Sequence, residues 1–278
     1  MGSPDFEATK LSVERKWLSL LYHHCQSGFS SVHLPSHDHT HHLRVWRFAC
    51  QIAKSLWSQG MKLDEPSMEK LMIAVFFHDL GMIHNQGKEH GHESRLLCED
   101  FFHHHPELQV HSLPEILAMV EHHDEKDYSL AAKAHSLNIG AILNMADDLD
   151  AFGCIGVYRY AEIYWLRGIP VGKMPAAILP NLEKRHAHFL LHLGFLEELA
   201  TLHTARYGIT RDFYRDLQSE IYDNPSPALG PRTVLKELIR ITETEGMGLT
   251  SLFPLTGNLK SDLYAEKFFA ALKQELDN

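Results

Sequence analysis

The stretch EPSMEKLMIAVFFHDLGM, residues 65–82, decides how the chain is read. Its proline stands near the start, where a helix tolerates a missing N–H in its first turn. From Met68 onward nearly every side chain is apolar, so the segment reads as a buried helix. The run then ends abruptly in His78-Asp79. An imidazole and a carboxylate at the end of a buried segment cost several kcal/mol unless something partners them. A metal ion is one such partner, and the chain must then supply further ligands elsewhere.

Working outward, the 3.6-residue period recurs almost throughout. TKLSVERKWLSLLYHHC places Leu11, Trp17, Leu18 and Leu21 at helical spacing. LRVWRFACQIAKSLWSQG stops at Gly60, a suitable residue just past a helix end. SLPEILAMVEHHD, LNIGAILNMADDLDAFG and LEKRHAHFLLHLGFLEELATLHTARYG repeat the pattern. No alternating run with hairpin signals suggests a strand. The expected fold class is therefore all-α, a helical bundle, with loops near 25–37, 84–90, 106–112, 124–133, 168–180 and 223–231. DNPSPALGPR, residues 223–232, holds three prolines and a glycine and is the best linker candidate. It divides an expected main domain, 1–222, from a helical extension, 223–278, expected to pack on it.

Composition narrows the function classes. Of 278 residues, 44% are apolar and 22% charged, as in ordinary globular chains. The formal net charge of −10 speaks against a nucleic-acid polymer as partner but not against a small phosphorylated substrate. Cys25, Cys50, Cys98 and Cys154 are scattered without a CxxC pair, which fits neither a disulfide framework nor a zinc ribbon and suits a reducing compartment. The opening MGSPDFEATK lacks a basic-then-apolar pattern, and no apolar run is long enough to cross a bilayer. The expected setting is the cytoplasm, away from membranes.

The unusual count is 22 histidines. Most are expected to be solvated, so only an ordered subset points to metal. SHDHTHHLRVWRF, residues 36–48, opens a helix with His37 and His41 four apart, on one face. GKEHGHES, residues 87–94, is polar and precedes a new helix. MVEHHDE ends an apolar helix in His122-His123. LNMADDLDAFG interrupts another with Asp147, Asp148 and Asp150. Helix ends of this kind can surround one or two divalent cations with nitrogen and oxygen donors, suiting Mn, Fe, Co, Ni or Zn and, less well, Mg.

The order His, His-Asp, Asp resembles the HD-domain superfamily of metal-dependent phosphohydrolases, an all-α fold. HDHTHHLRV looks like that family's opening H-D-x-x-H-x-x-R-V, FFHDLGM like its defining doublet, and MADDLDAFGCIGVYR like the A-D-x-L-D-A-I-G-x-I-G-x-x-R segment of small bacterial members. HFLLHLGFLEELATLHTARYG is similar to a helix those proteins carry near their end, so the resemblance spans roughly residues 10–221. It implies metal ligation by His41, His78, Asp79 and Asp147, and hydrolysis of a nucleotide or small phosphate ester, as a phosphohydrolase or phosphodiesterase using a metal-activated water. It also implies a homodimer as the usual assembly.

Two departures qualify the resemblance. Many members carry a lysine where this chain has Met82, which removes one usual phosphate-binding cation; Arg44 and Lys88 are the candidate substitutes, and Arg159 matches the terminal arginine of the aspartate segment. The His122-His123 pair resembles that of dinuclear members such as the HD-GYP phosphodiesterases, although DEKDYS follows here instead of G-Y-P. A second metal would use His90, with His92 as rival, together with His122 or His123. Candidate general acids are His92, Glu93 and Asp124, and nothing in the sequence selects among them. His37 is expected to orient a ligand or substrate, and Asp150 to cap a helix or position substrate.

Other polar residues are read as ordinary. Asp148, His39 and His42 are expected at the surface, and His23, His24, His186, His188, His192 and His203 on polar helix faces. Residues 101–108, FFHHHPEL, read as a solvated helix end. The four tryptophans and the YRYAEIYW aromatics are expected in the core. Two other classes stay open: a di-iron oxygenase, as some HD-fold proteins are, using His41, His78, Asp79, His90, His122 and Asp147; and a non-catalytic HD module that binds a ligand.

Overall fold

The structure, a computed structural model, describes residues 5–87, 89–124, 138–222, 230–248, 253 and 261–277. Among these residues there are only helices and connecting turns, with no strand. By backbone proximity the chain divides into two compact units. The first comprises Met1–Val32, His37–Leu149 and Leu191–Leu199; the second comprises His33–Ser36, Asp150–Leu190 and Ala200–Asn278. The expected linker lies mostly outside the described residues. No described helix is long and apolar enough to cross a membrane.

The first unit is organised around α3 (Glu65–Phe77). Asp64 caps it by accepting the Ser67 N–H at 3.0 Å, and Pro66 sits in its first turn. Every residue from Met68 to Phe77 is buried. Burying one large apolar side chain is worth about 1.5–3 kcal/mol, far more than intrinsic helix propensity supplies per residue, so tertiary packing fixes this helix. It packs against α1 (Phe6–Phe29), α2 (His39–Ser58), α4 (His90–His104) and α5 (Leu113–Glu121). Helix α1 buries Thr9, Val13, Trp17, Leu21, Cys25 and Phe29, a stripe with a four-residue step. Cys25 and Phe29 extend that stripe, which is why the helix continues into the expected 25–37 loop. Trp17 Nε1 donates to Glu69 Oε1 at 2.6 Å, and Lys16 pairs with the same carboxylate, pinning α1 to α3. Helix α6 (Ile139–Asp150) carries Asp147 and ends at the edge of the unit.

The second unit is built on α7 (Gly153–Leu166), with most of α8 (Met174–Leu193) and of α9 (Glu197–Tyr222), and with α10 (Pro231–Glu243) and α11 (Leu263–Asp277). The expected 168–180 loop is shorter than anticipated, since α8 begins at Met174 and contains Pro180. Met174, Ile178 and Leu182 are all fully buried at four-residue spacing, and that burial outweighs the hydrogen bond the proline removes. Tyr214 of α9 donates to Val157 O at 2.9 Å and Thr210 to Gly153 O at 2.9 Å. Glu275 of α11 accepts the Cys154 and Ile155 N–H groups at 2.8 and 3.1 Å, capping α7. Gly153, at φ +84°, leaves room for that carboxylate, which any Cβ there would meet within 3 Å. All four cysteines are free and buried.

Trp17 and Trp46 lie in the core, while Trp57 and Trp165 are half-buried. His203, expected on a polar face, is fully buried against Phe189. Burial, with Arg206 beside it, pushes its imidazole down to about 3. The polar face of α9 is simply narrower than its sequence suggests.

Candidate metal centre

Helix α3 ends by placing His78 at its C-terminus, where the His78 N–H still donates to Ala74 O at 2.9 Å. The His78 ring bonds through Nδ1 to Val75 O at 2.7 Å. A carbonyl only accepts, so the proton sits on Nδ1 and Nε2 offers a lone pair. The same device recurs twice: His123 Nδ1 donates to Val120 O at 2.7 Å and His90 Nδ1 to Gly87 O at 2.6 Å. Each ring is held by the carbonyl three residues before it, and each turns Nε2 inward.

Two groups of side chains converge in the first unit. His41, His78, Asp79 and Asp147 form one, and Asp79, His90 and His123 the other. In the first, His41 Nε2 lies 3.2 Å from His78 Nε2 and 3.4 Å from Asp79 Oδ2, while Asp147 Oδ1 lies 3.8 Å from His41 Nε2 and 4.0 Å from His78 Nε2. In the second, Asp79 Oδ1 stands 3.0 Å from His123 Nε2 and 3.3 Å from His90 Nε2, and those two nitrogens are 3.2 Å apart. Two nitrogens each about 2.0–2.1 Å from one ion stand about 2.9–3.4 Å apart at ordinary bond angles, so both imidazole pairs fit a shared cation. These buried His and Asp groups could hold a metal ion, and the mixed N/O donor set suits a divalent transition metal.

Burial and charge oppose one another here. Burial pushes the His78 imidazole down to about 3, against the pull of Asp79. Burial alone would raise the Asp79 carboxyl, but the surrounding imidazoles, His78 first, hold it well below the usual carboxylate range. Burial would likewise lower His90, yet its bond to Asp79 prevails and lifts it to about 9. Asp79 therefore creates a strongly negative spot that attracts positive charge.

Close backbone approaches set this geometry. Any Cβ on Gly81 would collide with His90 O and stand 2.5 Å from Ser94 N. Gly81 N donates to the buried Ser94 Oγ at 2.8 Å, tying the turn after the doublet to the start of α4. A Cβ on Gly91 would stand 2.5 Å from Glu121 O, so α4 and the end of α5 meet backbone to backbone. Asn144 of α6, with its amide oriented by the carbonyls it faces, donates to His123 O at 2.8 Å. Sequence reading missed Gly91 and Asn144, and no local signal marks them, because their partners are distant in the chain.

The remaining expected site residues fall as follows. His122 is exposed and outside both groups. His37 is buried, its ring 5.5 Å from that of His41. Arg44 is buried one turn below Thr40, whose Oγ1 accepts from its Nη1 at 3.0 Å. Arg159 and Asp150, both buried, form an ion pair with each other at 3.5 Å. His92 Nδ1 bonds Glu121 Oε1 at 3.0 Å, and Arg95 Nε holds Glu121 Oε2 at 3.3 Å. Glu93 is half-buried at the start of α4, and Asp124 is exposed. Lys88 lies outside the described residues. Two surface expectations fail. His42 is fully buried, donating from Nδ1 to Val75 O at 3.1 Å, and Asp148 is fully buried. Helices α2 and α6 are covered on more than one face at this level, so neighbours of the inward residues are covered too.

Residues 39–151 match the family model of the HD domain. This segment is similar to HD domains. It runs from the first residue of α2 to just beyond α6 and contains every residue of both groups. The match covers less than half of the chain and is narrower than the span drawn from motifs. Comparison with curated proteins and with solved structures gives no match. The HD domain is an all-helical fold, in keeping with the helices seen here.

Proposed function

We propose that the chain is a metal-dependent phosphohydrolase that cleaves a nucleotide or a comparably small phosphate ester. One observation carries this reading: the buried Asp79 carboxylate turns Oδ2 to the His41–His78 pair and Oδ1 to the His90–His123 pair. A carboxylate so divided suits a two-cation site of the kind used in phosphoryl transfer. His41, His78, Asp79 and Asp147 would hold one divalent cation, and Asp79, His90 and His123 a second. When bound, such cations acidify water and neutralise charge on a phosphoryl oxygen.

The chain's own residues supply the rest. The Nδ1 bonds of His78, His90 and His123 fix their rings before any ligand arrives. Burial of the group excludes bulk water and strengthens every charge interaction within it. Arg44, held by Thr40 one turn beyond His41, supports a phosphoryl-binding role. Among the three general-acid candidates, His92 has the best support. Glu121, itself held by Arg95, orients its imidazole through Nδ1, leaving Nε2 to pass a proton to a leaving oxygen.

The test is metal content and phosphate release from a nucleotide panel. Asp79→Ala should lose both ions and all activity, His78→Ala all activity, and His90→Ala one ion. Full metal-dependent activity in His78→Ala or Asp79→Ala would overturn the reading. A second reading is favoured by the ligand count. His41, His78, His90, His123, Asp79 and Asp147 together make four histidines and two aspartates, the set expected for a di-iron oxygenase. Two irons per chain with oxygen uptake and no phosphate release would select it.

A further inference from the structure

We infer that the second compact unit carries a binding pocket for a nucleoside phosphate, built on α10 beside Trp165. A cavity of about 640 Å³, within the size range of small-molecule sites, is lined there by Trp165, Arg232, Leu235, Lys236, Ile239, Arg240 and Glu243 among others. Arg232, Lys236 and Arg240 follow at four-residue spacing and share one helix face. Leu235 and Ile239 are buried and form an apolar floor beneath them.

The charges on this face are unevenly matched. Arg240 is paired with Glu237 at 2.8 Å. Among the described residues, the Arg232 and Lys236 side chains have no ion-pair partner. Like charges one turn apart repel, and the chain as a whole is acidic at −10, so this cationic face runs against the average. A bound anion would relieve the repulsion. Glu220 Oε2 already accepts the Arg232 N–H at 3.1 Å, so the start of the helix is satisfied and the anion would be met by side chains.

The other half of the ligand follows from Trp165. This ring is half-buried, and Nε1 donates to Glu243 Oε1 at 3.2 Å, which fixes the indole plane. A fixed indole beside an apolar floor suits a flat aromatic base, while a guanidinium and an ammonium one turn apart suit phosphate oxygens. The combination points to a nucleoside phosphate. All lining residues belong to the second unit, outside the segment similar to HD domains, and the inference does not depend on the phosphohydrolase reading.

The experiment is isothermal titration of the full chain, in chelator, with ADP, adenosine and pyrophosphate as separate probes. ADP should bind saturably, and more tightly than adenosine. His78→Ala should bind ADP as the parent does. Arg232→Glu combined with Lys236→Glu should weaken ADP by at least about tenfold, as loss of charge-assisted contacts requires. Trp165→Leu should weaken ADP while leaving pyrophosphate unchanged, a split that general unfolding would not give. No saturable ADP binding to the parent chain, loss of binding in His78→Ala, or an unaffected Arg232→Glu/Lys236→Glu protein would overturn the inference.

Discussion

Gly81→Ala tests how the second cation group is assembled. Gly81 lies in the short 3-10 turn Leu80–Ile83, directly after the doublet. Its backbone angles suit any residue, so the substitution acts through space alone. The new Cβ would collide with His90 O and stand 2.5 Å from Ser94 N and 2.8 Å from Glu93 Cβ, where real contacts do not fall below 3.0 Å. The start of α4 must retreat by at least about 0.5 Å, more than the roughly 0.2 Å by which metal–ligand distances vary. His90 rides on that segment, and His90 Nε2 is 3.3 Å from Asp79 Oδ1. Overpacking of this kind costs about 1–3 kcal/mol, and each kcal/mol lowers Tm by about 2–4 °C in a domain of this size. Elemental analysis and a thermal melt should show one ion lost per chain and a Tm several degrees lower, with the ion at His41, His78, Asp79 and Asp147 retained. Gly60→Ala is the control. It strains a turn at φ +85° with open space around it, so it should lower Tm without changing metal content. A Gly81→Ala protein that still binds two ions per chain would refute the reasoning.

Three further outcomes are expected. Gly91→Ala, whose Cβ would press on Glu121 O from the other side, should reproduce the loss of one ion. Without metal, stability should peak near pH 6.5 and fall on either side, which denaturant melts across pH would show. His90 binds its proton more tightly folded than unfolded, so its contribution is complete below about 6.5 and is lost progressively from there until pH passes about 9. His78, depressed to about 3, does the reverse and costs stability as pH falls below 6.5. Glu275→Ala removes both acceptors from the start of α7 and should cost about 1–2 kcal/mol in urea melts, with Glu275→Gln milder.

The all-α fold was legible because helical periodicity is a local property of the chain. So was the region of interest. An apolar run that stops at His78-Asp79 announces a buried polar end whatever surrounds it. Choices between neighbours were not legible. His122 and His123 both end α5, yet only His123 joins a cation group, because it is the residue that faces Asp79 across α4 and α5. His42 and Asp148 looked like surface residues, yet both are fully buried, His42 beside Phe29 and Phe76. Gly81, Gly91 and Asn144 hold the centre together through backbone contacts with residues distant in sequence. The sequence by itself determined the helices and the residue types that can hold a cation. Tertiary structure decided which members of each adjacent pair meet, because one residue along a helix turns a side chain by about 100° and only packing selects the face.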